Sequence, residues 1–239
     1  VEVTDPVTRA QTVRQEKVWN YAIADSLPAE KQLTIFDEIF AAYHDARSSI
    51  RNDLATAGSA ENVKDDLYGL DKAVSAVLGQ RTIEWNQLLV RIAKSKLTKS
   101  HDEKNEQVTK PDELVRLYDL LLQNAADLSD LVTTGRDRKQ EEATFAEECT
   151  LKSSIFRVQR CFYLAKSYSL AGKRAGAYAL YSCALSLANA AVRQLVIENA
   201  EIRSEMEAFK LSASDSVTTC LEVAKKEKKS SRRLLAWER

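Results

Sequence analysis

Apolar residues recur at intervals of three and four along most of the chain, which is the spacing of amphipathic α-helices. A shorter helix is predicted over residues 7–25 and a longer one over residues 29–56. Pro28 separates the two, because proline lacks the amide hydrogen that helix pairing needs and disfavours helix in the preceding residue. The apolar stripe of the longer helix consists of Leu33, Phe36, Ile39, Phe40, Tyr43, Ile50 and Leu54.

Polar and helix-breaking residues divide the rest of the chain. The pattern predicts one long helix or two collinear ones over residues 60–97, and Gly79 favours a turn between two paired helices. Residues 98–110 have no apolar period, which predicts a polar loop. Pro111 and the two acids after it then mark a helix start. The remaining predicted helices cover residues 111–133, 138–171, 174–190, 192–211 and 214–236.

The segment 158–191 carries the most specific pattern in the chain. It predicts the two helices of a tetratricopeptide repeat, which cross at a tight turn; a generic antiparallel helix pair is the alternative. Small residues are expected where the helices meet, aromatic residues beside them, and a glycine at the helix end, where its backbone freedom is needed. The positions that carry the pattern are Ala165, Tyr168, Gly172, Ala177, Tyr181 and Ala184.

The composition favours an all-α chain. Only 6 glycines and 3 prolines occur among 239 residues, and Asn-Gly turn signals are absent. We therefore predict a single domain over residues 1–239, in which antiparallel helix hairpins stack as a tetratricopeptide-like solenoid. Proteins of this architecture present surfaces to other macromolecules and rarely perform chemistry.

Charge is unevenly distributed, although the formal net charge of the whole chain is zero. Residues 225–239 hold seven Lys or Arg and two Glu, and they end the basic helix predicted over residues 214–239. Such clusters attract phosphates by charge and by counterion release, whereas the alternative is a solvated helix end. The candidate RNA or phosphate contacts are Lys225, Lys226, Lys228, Lys229, Arg232 and Arg233.

The first helix of the repeat hairpin offers a second candidate surface. In tetratricopeptide proteins this helix lines the concave groove, so a partner peptide could bind there. The alternative is that the same residues pack against the next helix pair. The candidate groove contacts are Gln159, Phe162, Lys166, Ser169 and Leu170.

Catalytic and cofactor motifs are absent from the sequence. Phosphate-binding loops, HExxH, GxSxG and EF-hand spacings do not occur, so we expect neither enzymatic activity nor a cofactor. Uninterrupted apolar stretches are only a few residues long, so we expect no membrane insertion. The cysteines lack metal-site spacing, and we expect buried free thiols in a reducing compartment: Cys149, Cys161, Cys183 and Cys220.

Two stretches resemble the family of 68-kDa subunits of the eukaryotic signal recognition particle. They are PDELVRLYDLLLQN (111–124) and LKSSIFRVQRCFYLAKSYSLAGKRAGAYALYSCALSLAN (151–189), and IFDEIFAAYHDARSSIRNDL (35–54) is a looser match. The chain begins at Val1 without a methionine, and we expect it to be part of a longer protein. The resemblance places it after, or overlapping the end of, the RNA-binding domain of such a subunit.

The resemblance implies a non-catalytic component of a cytoplasmic ribonucleoprotein, with a nuclear or nucleolar assembly stage. That particle targets ribosomes making secretory chains to the endoplasmic reticulum. The implied partners are the particle RNA, the 72-kDa subunit and, indirectly, the ribosome. The resemblance identifies no RNA contact residue by residue.

Overall fold

The computed structural model describes residues 27–57, 61–99, 110–133, 140–194 and 200–237. All regular elements in these ranges are α-helices, which confirms the predicted all-α class. The predicted helix over residues 7–25 lies outside the described residues, as does most of the predicted loop 98–110. The helices are α1 (Ala29–Thr56), α2 (Glu61–Lys99), α3 (Pro111–Thr133), α4 (Gln140–Leu170), α5 (Arg174–Gln194) and α6 (Ala200–Trp237).

Helix α1 begins where the sequence predicted, directly after Pro28. The Pro28 carbonyl oxygen accepts hydrogen bonds from the Lys31 and Gln32 amides at 2.9 and 3.2 Å. The Gln32 side-chain amide also donates to the Leu27 carbonyl at 3.0 Å. The Lys31 bond satisfies one of the amide groups that the first turn of a helix leaves without partners, and the Gln32 amide makes the first regular bond of the helix.

The chain divides into two compact units. One comprises residues 1–92 and 124–146, and the other comprises residues 93–123 and 147–239. The single domain predicted from the sequence stays a prediction.

The core of the first unit lies between α1 and α2. Four of its five buried residues lie on one face of α1, and the fifth, Val74, lies on α2. The Arg47 guanidinium and the Asp71 carboxylate pair at 3.0 Å beside this core. The other buried members of the cluster are Ile39, Tyr43, Ala46 and Ile50.

The predicted turn at Gly79 is wrong, because α2 continues through it without a break. The glycine is a site of close approach. A Cβ atom at Gly79 would lie 3.1 Å from Cδ1 of Leu128 on α3, so the missing side chain leaves room for the leucine. Gly79 therefore marks a close contact between two helices and not the end of a helix.

Two glycines of α2 allow a matched stability prediction. Gly69 is exposed, and a Cβ atom there meets nothing within 4 Å, so Gly69→Ala should raise the free energy of unfolding by about 0.5–1 kcal/mol. At Gly79 the same substitution requires Leu128 to move, which offsets the gain. Urea unfolding of both variants measures the difference. Equal stabilisation at both positions would contradict the packing of Leu128 on Gly79.

In the second unit, α5 and α6 pack against α4 around a shared apolar core. Its buried members come from all three helices: Ile155, Val158, Ala188, Ala191 and Met206. The sequence predicted two helices over residues 192–211 and 214–236, whereas α6 runs continuously from Ala200. At the predicted boundary the carbonyl oxygens of Ser212 and Ser214 accept hydrogen bonds from the hydroxyls of Ser216 and Thr218, within the helix.

Candidate interaction surfaces of the helical hairpin

The turn between α4 and α5 forms at Gly172, which has a φ of +72°. The Gly172 amide donates to the Ser169 carbonyl at 3.0 Å, and the Lys173 amide donates to the Tyr168 carbonyl at 2.9 Å. This pair of bonds defines a Schellman motif, whose positive φ favours glycine over residues with a Cβ atom. The structure therefore gives Gly172 the helix-ending position that the sequence pattern assigned to it.

Beyond the turn, small residues bring α4 and α5 together. Ala165 and Ala177 are fully buried, and they form one cluster with Tyr181. Val217 and Cys220 of α6 pack against the same cluster. Ala184 is buried on the same face of α5. The hairpin is therefore held both by its own small residues and by α6.

Tyr168 occupies a different position from Tyr181, because its side chain remains 37% exposed. Its ring lies against α5, where a Cβ atom at Gly176 would come within 2.7 Å of Cδ1 of the ring. The Lys173 ammonium lies 5.4 Å from the ring centroid. Sequence reasoning missed Gly176, although a glycine inside a helix is itself a signal of close packing.

The candidate groove residues fall into two groups. The Gln159 side chain is buried and donates a 2.9 Å hydrogen bond to the Glu205 carboxylate, and Phe162 stands edge-on to Phe209, with 5.4 Å between ring centroids. Both are thus covered by α6 of the same chain. Nearer the turn, Ser169 and Leu170 are exposed, Leu170 by 71%, and Lys166 is half-buried.

A cluster of one ion pair and three aromatic rings joins α2, α3, α4 and α6 in the second unit. The Lys94 ammonium lies 3.6 Å from the Glu205 carboxylate and 5.2 Å from the centroid of the Phe209 ring. Burial lowers the pKa of Lys94, and the adjacent Glu205 carboxylate opposes that change. Beside them the rings of Tyr118 and Tyr163 stack at 5.9 Å. This cluster anchors the N-terminal half of α6.

The two stacked tyrosines predict a loss of stability in alkali. Burial, followed by the Glu205 charge, raises the pKa of Tyr163 to about 12, and burial also raises that of Tyr118. Above about pH 10 the unfolded chain loses tyrosine protons that the folded chain keeps. The contribution of the two protonated tyrosines to the free energy of unfolding is fully present below about pH 10. It should fall by about 1.4 kcal/mol per pH unit per tyrosine as the pH rises toward 12. The lowered pKa of Lys94 has the opposite effect, because the folded chain releases this proton at a lower pH than the unfolded chain does, so this contribution to stability rises with pH.

Urea unfolding at pH 9 and pH 11 checks this expectation. The Tyr163→Phe variant should lose less stability between these pH values than the unsubstituted chain, because one titrating hydroxyl is gone. Tyr178→Phe, at a side chain that is 39% exposed, is the matched control and should follow the unsubstituted chain. An identical pH dependence for all three proteins would contradict the burial of Tyr163.

The basic segment lies on the C-terminal part of α6, which extends to Trp237. Lys225 is exposed. Helical geometry places positions 225, 229 and 232 about one turn apart along the backbone. The remaining basic positions, Lys226, Lys228 and Arg233, lie on the same continuous helix.

The cysteines are free, and their burial is uneven. Cys149 and Cys161 are buried as predicted, whereas Cys220 is half-buried and Cys183 is exposed. The expectation of four buried thiols is therefore wrong for Cys183, which lies on the solvent side of α5. Within the described ranges, no three His, Cys, Asp or Glu side chains cluster as metal ligands would.

Among the described helices, α5 is long and apolar enough to cross a membrane by length and composition alone. Counting only uninterrupted apolar runs missed this property. The helix contains many small residues that pack against α4 and α6, and core helices of soluble proteins pass the same test. The buried positions of α5 are Ala177, Tyr181, Ala184, Ala188 and Ala191, and 28% of its apolar window is buried.

The fold and these surfaces define an all-α, helical-repeat class of protein, and comparison with known proteins identifies the family. Residues 6–236 match the family described as RNA-binding signal recognition particle 68, and the chain belongs to that family. It is 26% identical over 236 residues to the signal recognition particle subunit SRP68 of Caenorhabditis elegans and 24% identical over 232 residues to that of Drosophila melanogaster. These alignments cover 90% and 86% of the chain, and 36% and 37% of the relatives.

The chain therefore spans little more than a third of the length of these two relatives. A shorter alignment has a higher sequence identity. Over 52 residues, or 22% of the chain, the chain is 56% identical to the MND1-interacting protein 1 of Arabidopsis thaliana. That match covers 7% of the Arabidopsis protein. No solved structure matches the chain.

Proposed function

We propose that this chain is a non-catalytic scaffold segment of a signal recognition particle subunit, which supports assembly of the particle RNA with a protein partner. The observation that carries the proposal is the family match over residues 6–236, because it includes both the helical hairpin and the basic part of α6. The description of that family names RNA binding. A packed helical scaffold suits a role in setting distance and orientation between bound partners.

In this proposal the basic segment of α6 contacts RNA phosphates, through Lys225 and the five basic positions that follow it. The hairpin and the Lys94–Glu205 ion pair hold the first half of α6 in place. The basic positions follow on the same continuous helix, α6. Contacts of this type are sensitive to salt, because each one releases counterions from the RNA.

The protein partner in this proposal is the 72-kDa subunit of the particle. The assembled particle acts in cytoplasmic targeting of ribosomes to the endoplasmic reticulum, after a nuclear stage of assembly. The chain itself performs no catalysis in this account. Its contribution is the placement of surfaces, which agrees with the extensive burial of small and aromatic residues between its helices.

Co-migration with the components of the particle tests the proposal. The chain is mixed with signal recognition particle RNA, with the 72-kDa subunit, and with both together, and each mixture is separated by size-exclusion chromatography. We expect the chain to elute with at least one component, and most completely when both are present. A folded chain that elutes alone from all three mixtures would contradict the proposal.

The alternative is a tetratricopeptide adaptor that binds a partner peptide in the hairpin groove. It has less support, because α6 covers Gln159 and Phe162 of the candidate groove. The open part is limited to the region near the turn, where Leu170 is exposed. The substitution Leu170→Asp should abolish partner binding under this alternative and leave it unchanged if the basic segment of α6 carries the contact.

A further inference from the structure

Two cysteines occupy equivalent heights on the α4–α5 hairpin. Cys161 lies eleven residues before Gly172, and Cys183 lies eleven residues after it. In an antiparallel helix pair with equal rise per residue, positions equally distant from the turn lie side by side. The symmetry of the two positions about the turn therefore brings both cysteines to the same level of the hairpin.

The side chains confirm that the helices approach closely at this level. The Cys161 thiol donates a 3.3 Å hydrogen bond to the carbonyl oxygen of Leu180, one turn before Cys183 on α5. Cys183 is also near enough to Cys161 to contribute to the raised pKa of the Cys161 thiol. A contact between a side chain and the backbone of the opposite helix is favoured here because Ala165 and Ala177 keep the pair close.

The two thiols differ in their access to solvent. Cys183 is exposed, whereas Cys161 is buried between the helices. Burial raises the pKa of Cys161 to about 12, with a further contribution from the neighbouring Cys183. Because the thiolate is the reactive form, Cys161 is protected from direct oxidation, and Cys183 is the thiol that an oxidant reaches first.

We propose that Cys161 and Cys183 form a reversible redox modification site, in which a hydroperoxide joins the two thiols as a disulfide across the hairpin. The Cys183 thiolate attacks one peroxide oxygen, which gives a sulfenic acid at Cys183 and releases water or an alcohol. The Cys161 sulfur then attacks the Cys183 sulfur, loses its proton and displaces water. Two thiols are oxidised, one hydroperoxide is reduced, and a dithiol such as dithiothreitol reverses the change.

This modification would fasten the two helices of the hairpin on which α6 packs. Val217 and Cys220 of α6 contact the cluster of Ala165, Ala177 and Tyr181, which lies on the same hairpin as the cysteine pair. A disulfide between Cys161 and Cys183 encloses the turn and restricts the unfolded chain. The oxidised chain should therefore melt at a higher temperature than the reduced chain.

Peptide mapping of the full 239-residue chain tests the proposal. The reduced chain is treated with hydrogen peroxide, remaining thiols are blocked with N-ethylmaleimide, and the protein is digested without reduction. Trypsin cuts between the two cysteines, at Lys166, Lys173 and Arg174, so a disulfide appears as a linked pair of peptides. We expect linked peptides containing Cys161 and Cys183, which separate after dithiothreitol, and loss of two of the four free thiols.

Variants assign the roles of the two sulfurs. Cys161→Ser should form no linked peptides and should accumulate a Cys183 sulfenic acid that dimedone traps. Cys149→Ser is the matched control and should form the disulfide as the unsubstituted chain does. The proposal is overturned if Cys161 and Cys183 are recovered separately blocked after peroxide treatment, or if Cys183 is linked to Cys220 or to a second chain. The mapping of the unsubstituted chain decides this even if a variant fails to fold.

Discussion

Replacing Met206 by alanine should destabilise the chain by about 2–5 kcal/mol, the range for large-to-small substitutions in a packed core. Met206 is fully buried where α6 meets α4 and α5, beside Val158, Ala188 and Ala191. Truncation removes apolar contacts and leaves a cavity that the surrounding helices fill only in part. A single domain has a stability of about 5–15 kcal/mol, so this loss is a large fraction of the total.

Leu211→Ala is the matched control, because Leu211 lies on the same helix and is 65% exposed. It should change the free energy of unfolding by less than about 0.5 kcal/mol. Urea unfolding followed by far-ultraviolet circular dichroism measures both variants. Equal destabilisation by the two substitutions would mean that α6 does not dock on the hairpin through the face that contains Met206.

Reversing four charges of the basic segment should abolish binding to signal recognition particle RNA. The variant changes Lys228, Lys229, Arg232 and Arg233 to glutamate. If these four side chains each contact a phosphate, log K should fall with log salt with a slope of about −3 to −3.6. The affinity of the unsubstituted chain would then decrease roughly a hundredfold between about 50 and 200 mM salt.

A second variant separates the position of the charges from their number. Reversing Arg51, Arg116, Arg157 and Arg193 changes the net charge by the same amount at exposed positions outside the basic segment. Fluorescence anisotropy with labelled RNA should show that this variant retains most of the affinity. Similar losses in both variants would mean that overall charge, and not the basic segment of α6, governs binding.

The sequence predicted the helices best where their ends have a chemical marker. Pro28 and Pro111 each begin a helix, and Gly172 ends one, because proline and a positive φ leave few alternatives to the backbone. A helix end was predicted wrongly where the residue that suggested it, a glycine, can also serve as a close contact between helices. Gly79 could end a helix or admit a neighbour, and only the position of Leu128 decides between the two.

The candidate surfaces were less predictable than the helices. The repeat pattern placed small residues at the crossing of α4 and α5, and Ala165 and Ala177 are fully buried there. It could not show that α6 returns to cover Gln159 and Phe162, because that contact joins positions more than forty residues apart. The Lys94–Glu205 pair joins residues even more distant in sequence and has no local signal at all.

Direct titration of the chain with signal recognition particle RNA tests the central claim, that this segment supports an RNA-bound assembly. The titration is made at low and at near-physiological salt, with an unrelated structured RNA of equal length as the reference. The account predicts salt-sensitive binding that is tighter for the particle RNA than for the reference. A folded chain that binds neither RNA at low salt, or binds both equally at every salt concentration, would contradict it.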